Sequence, residues 1–151
     1  MIHRSRKSLL CLAALLASMF ATAQVASAPA LLPNPVLYLI GTEAYTASGK
    51  KFIRYKYDVF NKDAYPLEMF APSPNLPPCG ANTKASRTWV DIYRQNGVRV
   101  NGFCALAKPA DLGKIWFGLE EGMLPPSYVY IELTDRQTNT KYKSNLAETT
   151  L

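Results

Sequence analysis

Short runs of alternating apolar and polar residues, separated by turn residues, constrain this chain more than any other feature. From Val36 onward these runs are rich in Val, Ile, Tyr and Phe, and no helical period exceeds one turn. Alternation with a period of two is typical of half-buried β-strands. The pattern predicts strands over residues 36–45, 52–60, 67–70, 88–93, 98–105, 115–119, 127–134 and 141–145.

Two connections between these runs have recognisable turn chemistry. Asn96-Gly97 is the strongest short hairpin signal, because both residues accept positive φ. Residues 47–50, Ala-Ser-Gly-Lys, predict a second tight turn. Seven or eight short strands at regular spacing indicate an all-β fold. We expect a two-sheet sandwich of immunoglobulin or fibronectin type III character, with a jelly roll or small barrel as the alternatives.

The first residues have the order of a secretory signal. Arg4, Arg6 and Lys7 precede an apolar run over 9–20, and small residues follow it. This run of twelve residues falls short of the roughly 20 that a membrane span needs. We therefore predict a signal peptide helix over 1–23, a flexible leader over 24–35 and one sandwich domain over 36–147. The mature protein is expected to be periplasmic or secreted, without a membrane span.

Composition argues against nucleic acid as a partner once the signal is removed. The 151 residues include 17 basic and 11 acidic side chains, and three of the basic ones lie in the signal. The net charge therefore falls from +6 to about +3. A domain with so small a charge excess lacks the usual basic footprint of a nucleic-acid-binding protein.

The cysteines and the single histidine restrict the chemistry further. Cys79 and Cys104 are the cysteines that follow the signal, and an even count in an exported domain predicts a disulfide. His3 is lost with the signal, which excludes Ser-His-Asp and Cys-His arrangements. Two thiolates without a histidine make a poor zinc site. We predict no catalytic residue, no metal site and no cofactor.

Several motifs carry a resemblance. LPPCG stands at 76–80, ASRTWVDIY at 85–93, GFCAL at 102–106 and DRQT at 135–138, followed by Tyr142 and Ser144-Asn145. Over about residues 55 to 147 the chain resembles a family of small exported bacterial proteins that has no established activity. This resemblance implies a small, exported, disulfide-bonded protein and brings no catalytic residues. The last two predicted strands also bear a weak resemblance to the closing strands of fibronectin type III domains.

One face of two predicted strands is a candidate binding surface. If Val90 and Ile92 face the core, alternation turns their neighbours outward, and the same holds on the strand over 127–134. The outward candidates are Trp89, Asp91, Tyr93, Tyr128 and Tyr130, with Glu132 beside them. Aromatic rings beside carboxylates suit sugar recognition. Alternatively, Trp89 is a core residue. Asp91 would then be a structural acceptor for a turn amide, or form a salt bridge with a residue such as Arg87 or Arg136.

The proline-rich loop over 71–86 is a second candidate. It is longer than most structureless connections, and such loops are often functional. Its polar contacts would come from Asn75, Asn82, Lys84 and Arg87, and Cys79 would fasten it. Such a loop could insert into an envelope protein or bind a glycan. Alternatively, it is only a rigid crossover between sheets.

These observations favour a non-enzymatic exported binding domain that uses the proline-rich loop or the aromatic sheet face. The alternative is a small envelope hydrolase that acts on carbohydrate through paired carboxylates such as Asp91 and Glu132. Asp135 is a further carboxylate, whereas Glu120 and Glu121 precede Gly122 in a predicted solvated turn.

Overall fold

The computed structural model describes residues 31–72 and 86–150. Eight strands lie within these residues: β1 (Leu37–Ala47), β2 (Lys50–Val59), β3 (Thr88–Arg94), β4 (Arg99–Phe103), β5 (Ile115–Glu120), β6 (Tyr128–Asp135), β7 (Thr140–Lys143) and β8 (Ala147–Glu148). Short 3-10 helices cover Lys62–Ala64, Leu67–Phe70 and Pro109–Lys114. The predicted all-β class is confirmed.

The strands form two antiparallel sheets. One sheet has the order β1-β2-β5, and the five-stranded sheet has the order β4-β3-β6-β7, with β8 also pairing with β6. This connectivity is that of immunoglobulin-related sandwiches, with β4 placed beside β3 rather than beside β5. The predicted two-sheet sandwich is therefore confirmed.

The core consists of the side chains that alternation sends inward from both sheets. Val90, Ile92, Ile131 and Leu133 are fully buried on the five-stranded sheet. On the three-stranded sheet, the rings of Tyr55 and Phe117 stack with centroids 4.9 Å apart. Burying one side chain of the size of Val, Leu or Ile contributes about 1.5 to 3 kcal/mol. The core is therefore the main source of stability.

The two predicted hairpins form, with different turn geometries. Ser48 and Gly49 both have positive φ, 51° and 75°, as a type I′ turn requires. At the other hairpin, Gly97 has φ of 84° and Asn96 is not in the positive-φ region. Asn96-Gly97 therefore belongs to a longer loop with one left-handed glycine, in which Arg94 N donates to Val98 O at 2.9 Å.

The prediction of a strand over 67–70 is wrong. Leu67–Phe70 is a 3-10 helix that begins after Pro66, and Met69 N donates to Pro66 O at 3.1 Å. Met69 and Phe70 are buried in the core. A four-residue apolar run does not distinguish a buried strand from one buried helical turn, and here the turn fills the core without a partner strand.

Side-chain amides join the two sheets at both edges. Asn145 Oδ1 accepts from Leu37 N at 2.8 Å, and Asn145 Nδ2 donates to Leu37 O at 3.0 Å. At the opposite edge, Asn101 Nδ2 donates to Trp116 O at 2.6 Å. Each amide satisfies backbone groups of a strand in the other sheet. The strand predicted over 141–145 accordingly ends at Lys143, and pairing resumes at Ala147.

Candidate functional site

The outer face of the five-stranded sheet brings most of the predicted binding residues together. Trp89, Asp91 and Tyr93 on β3 are partly exposed, as are Tyr130 and Glu132 on β6. Their strand neighbours Val90, Ile92, Val129 and Ile131 are fully buried. Alternation alone therefore places these five side chains on the outer face.

Strand register sets the order of residues on this face. In the antiparallel β3–β6 pair, Trp89 lies opposite Thr134, Asp91 opposite Glu132 and Tyr93 opposite Tyr130. Directly opposed side chains on one sheet face are in contact range. The face thus has three successive rows of paired side chains, which we call the β3–β6 ladder.

The tyrosine row is closely packed. The rings of Tyr93 and Tyr130 lie 5.3 Å apart, 16° from parallel, and Lys143 Nζ lies 4.1 Å from the Tyr130 ring centroid. Side chains stand roughly perpendicular to a sheet, so the two rings cover each other's faces and present their edges outward. Burial raises the pKa of the Tyr93 phenol, and Asp91 and Glu132 raise it further. Tyr93 therefore presents a protonated hydroxyl at neutral pH.

Each carboxylate of the middle row has its own cation. Arg99 Nε donates to Asp91 Oδ1 at 2.5 Å, and Lys141 Nζ donates to Glu132 Oε1 at 2.5 Å. The structure thus gives Asp91 a salt-bridge partner, but the partner is Arg99 and not Arg87 or Arg136. Arg99 follows the hairpin turn and lies on the neighbouring strand β4, whereas Arg87 precedes Asp91 on its own side of the turn.

Trp89 lies on the outer face and not in the core. Its indole Nε1 donates to Ser86 O at 2.9 Å, and the Arg136 guanidinium lies 4.4 Å from its ring centroid. The alternative that Trp89 is a core residue is therefore wrong, since alternation with Thr88 and Val90 turns the indole outward. A hydrogen bond and a cation fix this ring in place.

Arg87 stabilises the fold through an ion pair with Asp135. Its Nε and a terminal nitrogen donate to the two carboxylate oxygens of Asp135 at 2.7 and 2.5 Å. Asp135 also accepts from Gln137 N and Thr138 Oγ1. The Arg87 guanidinium lowers the pKa of Asp135 to about 2. This ion pair uses two of the five guanidinium N–H donors of Arg87 and fixes the side chain against the end of β6.

The proline-rich loop meets the sandwich beside Trp89. Pro72 and Ser86 form an antiparallel bridge, and Arg87 N donates to Ala71 O at 3.0 Å. Between these anchors, Asn75, Cys79, Asn82 and Lys84 lie outside the described residues. Ser86 N donates to Cys104 O at 2.8 Å, which places Cys104 next to the base of the loop.

Tyr128 lies apart from the other aromatic residues, although it is on the same strand as Tyr130. It lines a cavity of about 410 Å³ at the end of the sheet, together with Arg94, Gln95, Asn96, Pro126 and Ser127. Neither Tyr93 nor Tyr130 belongs to that lining. The aromatic residues predicted to form one surface are therefore divided between the β3–β6 ladder and this cavity.

The sequence patterns did not reveal the cations of the ladder. Arg99, Lys141, Lys143 and Arg136 reach the site from β4, β7 and the turn after β6. The hairpin centred on Asn96-Gly97 could have indicated that Arg99 faces β3, since it follows the turn closely. The β7 lysines could be placed only once the register of β6 and β7 was known.

The other two candidate carboxylates, Glu120 and Glu121, fit a solvated turn. Lys50 Nζ lies 3.1 Å from Glu120 Oε2, and Lys51 Nζ lies 4.0 Å from Glu121 Oε2, in exposed pairs. Among residues 31–72 and 86–150, no three His, Cys, Asp or Glu side chains are grouped to hold a metal ion. The same residues contain no helix with the length and apolar character needed to cross a membrane.

Comparison with known proteins finds no matching family, no matching curated protein and no matching solved structure.

Proposed function

We propose that this chain is an exported, non-enzymatic domain that binds a protein partner through the β3–β6 ladder. Export is supported by the charged, apolar and small-residue order at the start of the sequence, and by the resemblance to small exported proteins. The observation that carries the binding proposal is the clustering of Trp89, Tyr93 and Tyr130 with Arg99 and Arg136 on one sheet face.

The composition of the ladder matches that of energetically dominant protein interface residues. Trp, Tyr and Arg are the residue types that most often dominate the binding energy of protein interfaces. Large rings with few rotatable bonds lose little entropy on binding, and the stack of Tyr93 on Tyr130 orders both rings in advance. The ion pairs at Asp91 and Glu132 add charges of both signs, which favour specificity.

The orientation of the rings favours a protein over a glycan. Sugar recognition by stacking needs an open ring face, but Tyr93 and Tyr130 cover each other and Lys143 lies on Tyr130. The Trp89 ring is likewise covered by Arg136. Ring edges, hydroxyls and cations therefore form the surface, and these groups suit the mixed polar and apolar surface of a folded protein.

A disulfide between Cys79 and Cys104 is part of this proposal. Cys104 follows β4, and its carbonyl oxygen accepts from Ser86 N at the base of the proline-rich loop. Ser86 O in turn accepts from the Trp89 indole. A bridge from the loop to Cys104 would therefore fix the loop beside the ladder, so that both candidate surfaces could contact one partner.

Site-directed photocrosslinking in living cells that express the protein tests the proposal. The full chain carries p-benzoylphenylalanine in place of Tyr93 or, as the control, in place of Tyr38, an exposed tyrosine of β1 on the other sheet. We expect one protein crosslinked from position 93 and not from position 38, with the yield lowered in Tyr130→Ala and Arg99→Ala backgrounds. Identical products from both positions, or none from position 93, would refute the proposal.

One observation favours the hydrolase alternative. Asp91 and Glu132 lie directly opposite each other across β3 and β6, within the contact range of two paired carboxylates. Against it, each carboxylate already accepts a short hydrogen bond from a cation, and neither of them lines the cavity beside Tyr128. Hydrolysis of an envelope glycan by the purified protein, abolished by Glu132→Gln, would establish the alternative.

A further inference from the structure

The cavity beside Tyr128 is built from two segments at one end of the five-stranded sheet. Arg94 ends β3 and Gln95-Asn96 starts the following turn, whereas Pro126 and Ser127 lead into β6. Gln95 N donates to Tyr128 O at 3.2 Å, which holds the two segments together. The volume of about 410 Å³ lies in the range of small-molecule sites.

Arg94 gives this cavity its charge. Of the lining residues that the structure describes, it alone is ionised, and none is a carboxylate. Among the described residues it forms no salt bridge and no side-chain hydrogen bond, and its Nε is shielded from solvent without an acceptor. A buried guanidinium nitrogen without an acceptor is costly, so its persistence calls for an explanation.

Comparison with two other arginines isolates this feature. Arg54 and Arg136 also have a shielded Nε without an acceptor. However, the Arg54 guanidinium lies over Tyr45 and Trp116, and that of Arg136 lies over Trp89. Within the described part of the chain, Arg94 has neither a ring nor a carboxylate to compensate its charge. The two terminal nitrogens of Arg94 also have no acceptor among these residues but, unlike Nε, are not shielded, so a ligand anion in the cavity could accept from both.

We propose that this cavity binds a small hydroxylated carboxylic acid of about the size of a monosaccharide, such as a hexuronate. The planar guanidinium of Arg94 matches a carboxylate with two parallel hydrogen bonds. The Tyr128 and Ser127 hydroxyls and the Gln95 amide can donate to or accept from the ligand hydroxyls. Asn96 Oδ1 already accepts from Val98 N at 3.2 Å, which orients the side-chain amide.

This site is distinct from the proposed protein-binding ladder, because none of the ladder residues lines it. Either proposal can therefore fail without the other. A hexuronate carboxylate is ionised at neutral pH, whereas glucose has the same ring and no charge. The pair of ligands isolates the contribution of the carboxylate.

The test is a titration of the isotope-labelled protein with glucuronate, followed by its backbone amide signals. We expect saturable shifts at Gln95, Asn96 and Ser127 with glucuronate, and no shifts there with glucose at the same concentrations. Arg94→Gln should weaken glucuronate binding at least tenfold. Arg94→Lys keeps the charge without the planar fork and should weaken binding several-fold.

The matched control is Arg54→Gln, which removes another arginine with a shielded Nε and should leave glucuronate binding unchanged. Well-dispersed amide signals establish that each variant is folded. Equal binding of glucose and glucuronate, unchanged affinity in Arg94→Gln, or no shifts at the cavity would each overturn the proposal. Shifts at the ladder residues alone would also overturn it, because they would place the ligand elsewhere.

Discussion

The Asp135 carboxylate accepts four hydrogen bonds, which is the full capacity of its two oxygens. Arg87 donates two, and Gln137 N and Thr138 Oγ1 donate one each, at a position that is 5% exposed. The same aspartate begins the DRQT motif that contributes to the family resemblance. In this structure the motif forms a turn whose first side chain binds the residues that follow it and the start of β3.

Replacing Arg87 should therefore be costly. Arg87→Ala leaves a buried carboxylate with reduced compensation, and we expect the free energy of unfolding to fall by about 3 kcal/mol. The measurement is urea unfolding at pH 7. The control is Arg99→Ala, which removes a partner from the more exposed Asp91 ion pair and should cost less than about 1 kcal/mol. Equal losses in the two variants would contradict this assignment.

The same ion pair makes stability depend on acid. The folded protein holds the Asp135 carboxyl ionised down to about pH 2, whereas the unfolded chain binds its proton near pH 3.8. Acid therefore favours unfolding, and the contribution present above pH 4 declines as the pH falls toward 2. We expect Asp135 to account for about 2 kcal/mol of the loss between pH 5 and pH 2.

Urea unfolding of the wild type and of Asp135→Asn at pH 5 and pH 2 measures this contribution. The asparagine variant cannot titrate at this position, so it should lose less stability than the wild type over this interval. A loss of the same size in both proteins would assign the acid sensitivity to other carboxylates.

For single residues, the sequence predicted which face of the sheet a side chain lies on but not which residue it contacts. Alternation around Val90 and Ile92 placed Asp91 and Tyr93 on the outer face, because the period of two is a local property. The partner of Asp91 depends on how β3 and β4 are aligned, and the alignment shifts between Ile92 and Tyr93. No pattern within one strand carries that information.

Among the elements, the edge strands depend on side chains as much as on backbone pairing. Asn145 lies between β7 and β8 and binds both backbone groups of Leu37. Just before Asn145, the Ser144 hydroxyl serves as a side-chain acceptor for β6 and accepts from Ile131 N at 2.9 Å. The chain thus pairs with β6 along β7, hydrogen-bonds to β1 at Asn145, and pairs with β6 again in β8.

We expect Asn145→Ala to loosen the start of β1. The Leu37 amide loses its acceptor, and its hydrogen exchange should become about 10- to 100-fold faster, in line with about 1 to 3 kcal/mol for an unsatisfied group. Asn145→Asp keeps an acceptor oxygen and should protect this amide better than alanine does. Unchanged exchange at Leu37 in Asn145→Ala would show that the amide bridge contributes nothing to the edge.

The element that sequence analysis assigned wrongly lacks a strand partner. Residues 67–70 are apolar enough for a strand, but Pro66 starts a 3-10 turn and Thr88 Oγ1 donates to Met69 O at 2.5 Å. Most other predicted strands combined alternation with a turn signal, whereas the strand over 115–119 was predicted from a continuous apolar run and forms β5. A short apolar run is therefore ambiguous between a buried strand and a buried helical turn. The two-residue strand β8 was not predicted.

For the whole molecule, the proposed Cys79–Cys104 bridge should contribute measurably to stability. A closed loop of about 25 residues reduces the entropy of the unfolded chain by an amount worth about 3 kcal/mol. Replacing both cysteines with serine should lower the free energy of unfolding by about 2 to 4 kcal/mol. Alkylation and mass spectrometry of native protein should find no free thiol at either position, and two free thiols would refute the bridge.

The sandwich architecture was the most predictable level. Strand number, short connections and the absence of helical periodicity each depend on local sequence, and together they leave few folds. The ladder was only half predictable, since its aromatic residues follow from alternation whereas Lys141 and Lys143 depend on pairing between distant strands. The cavity at Arg94 depends on two segments that are 30 positions apart at their nearest residues, and no local pattern indicates it.

The bond between Leu37 and Asn145 brings the first and last strands of the described fold to one edge of the sandwich. A short artificial linker could therefore join residues 31 and 150, and the chain could be reopened at the exposed Asn96-Gly97 turn. Such a circular permutant would keep every strand in place, but β4 to β8 would emerge from the ribosome before β1 to β3. Its folding rate would then measure how far the order of synthesis matters for this sandwich, separately from its final contacts.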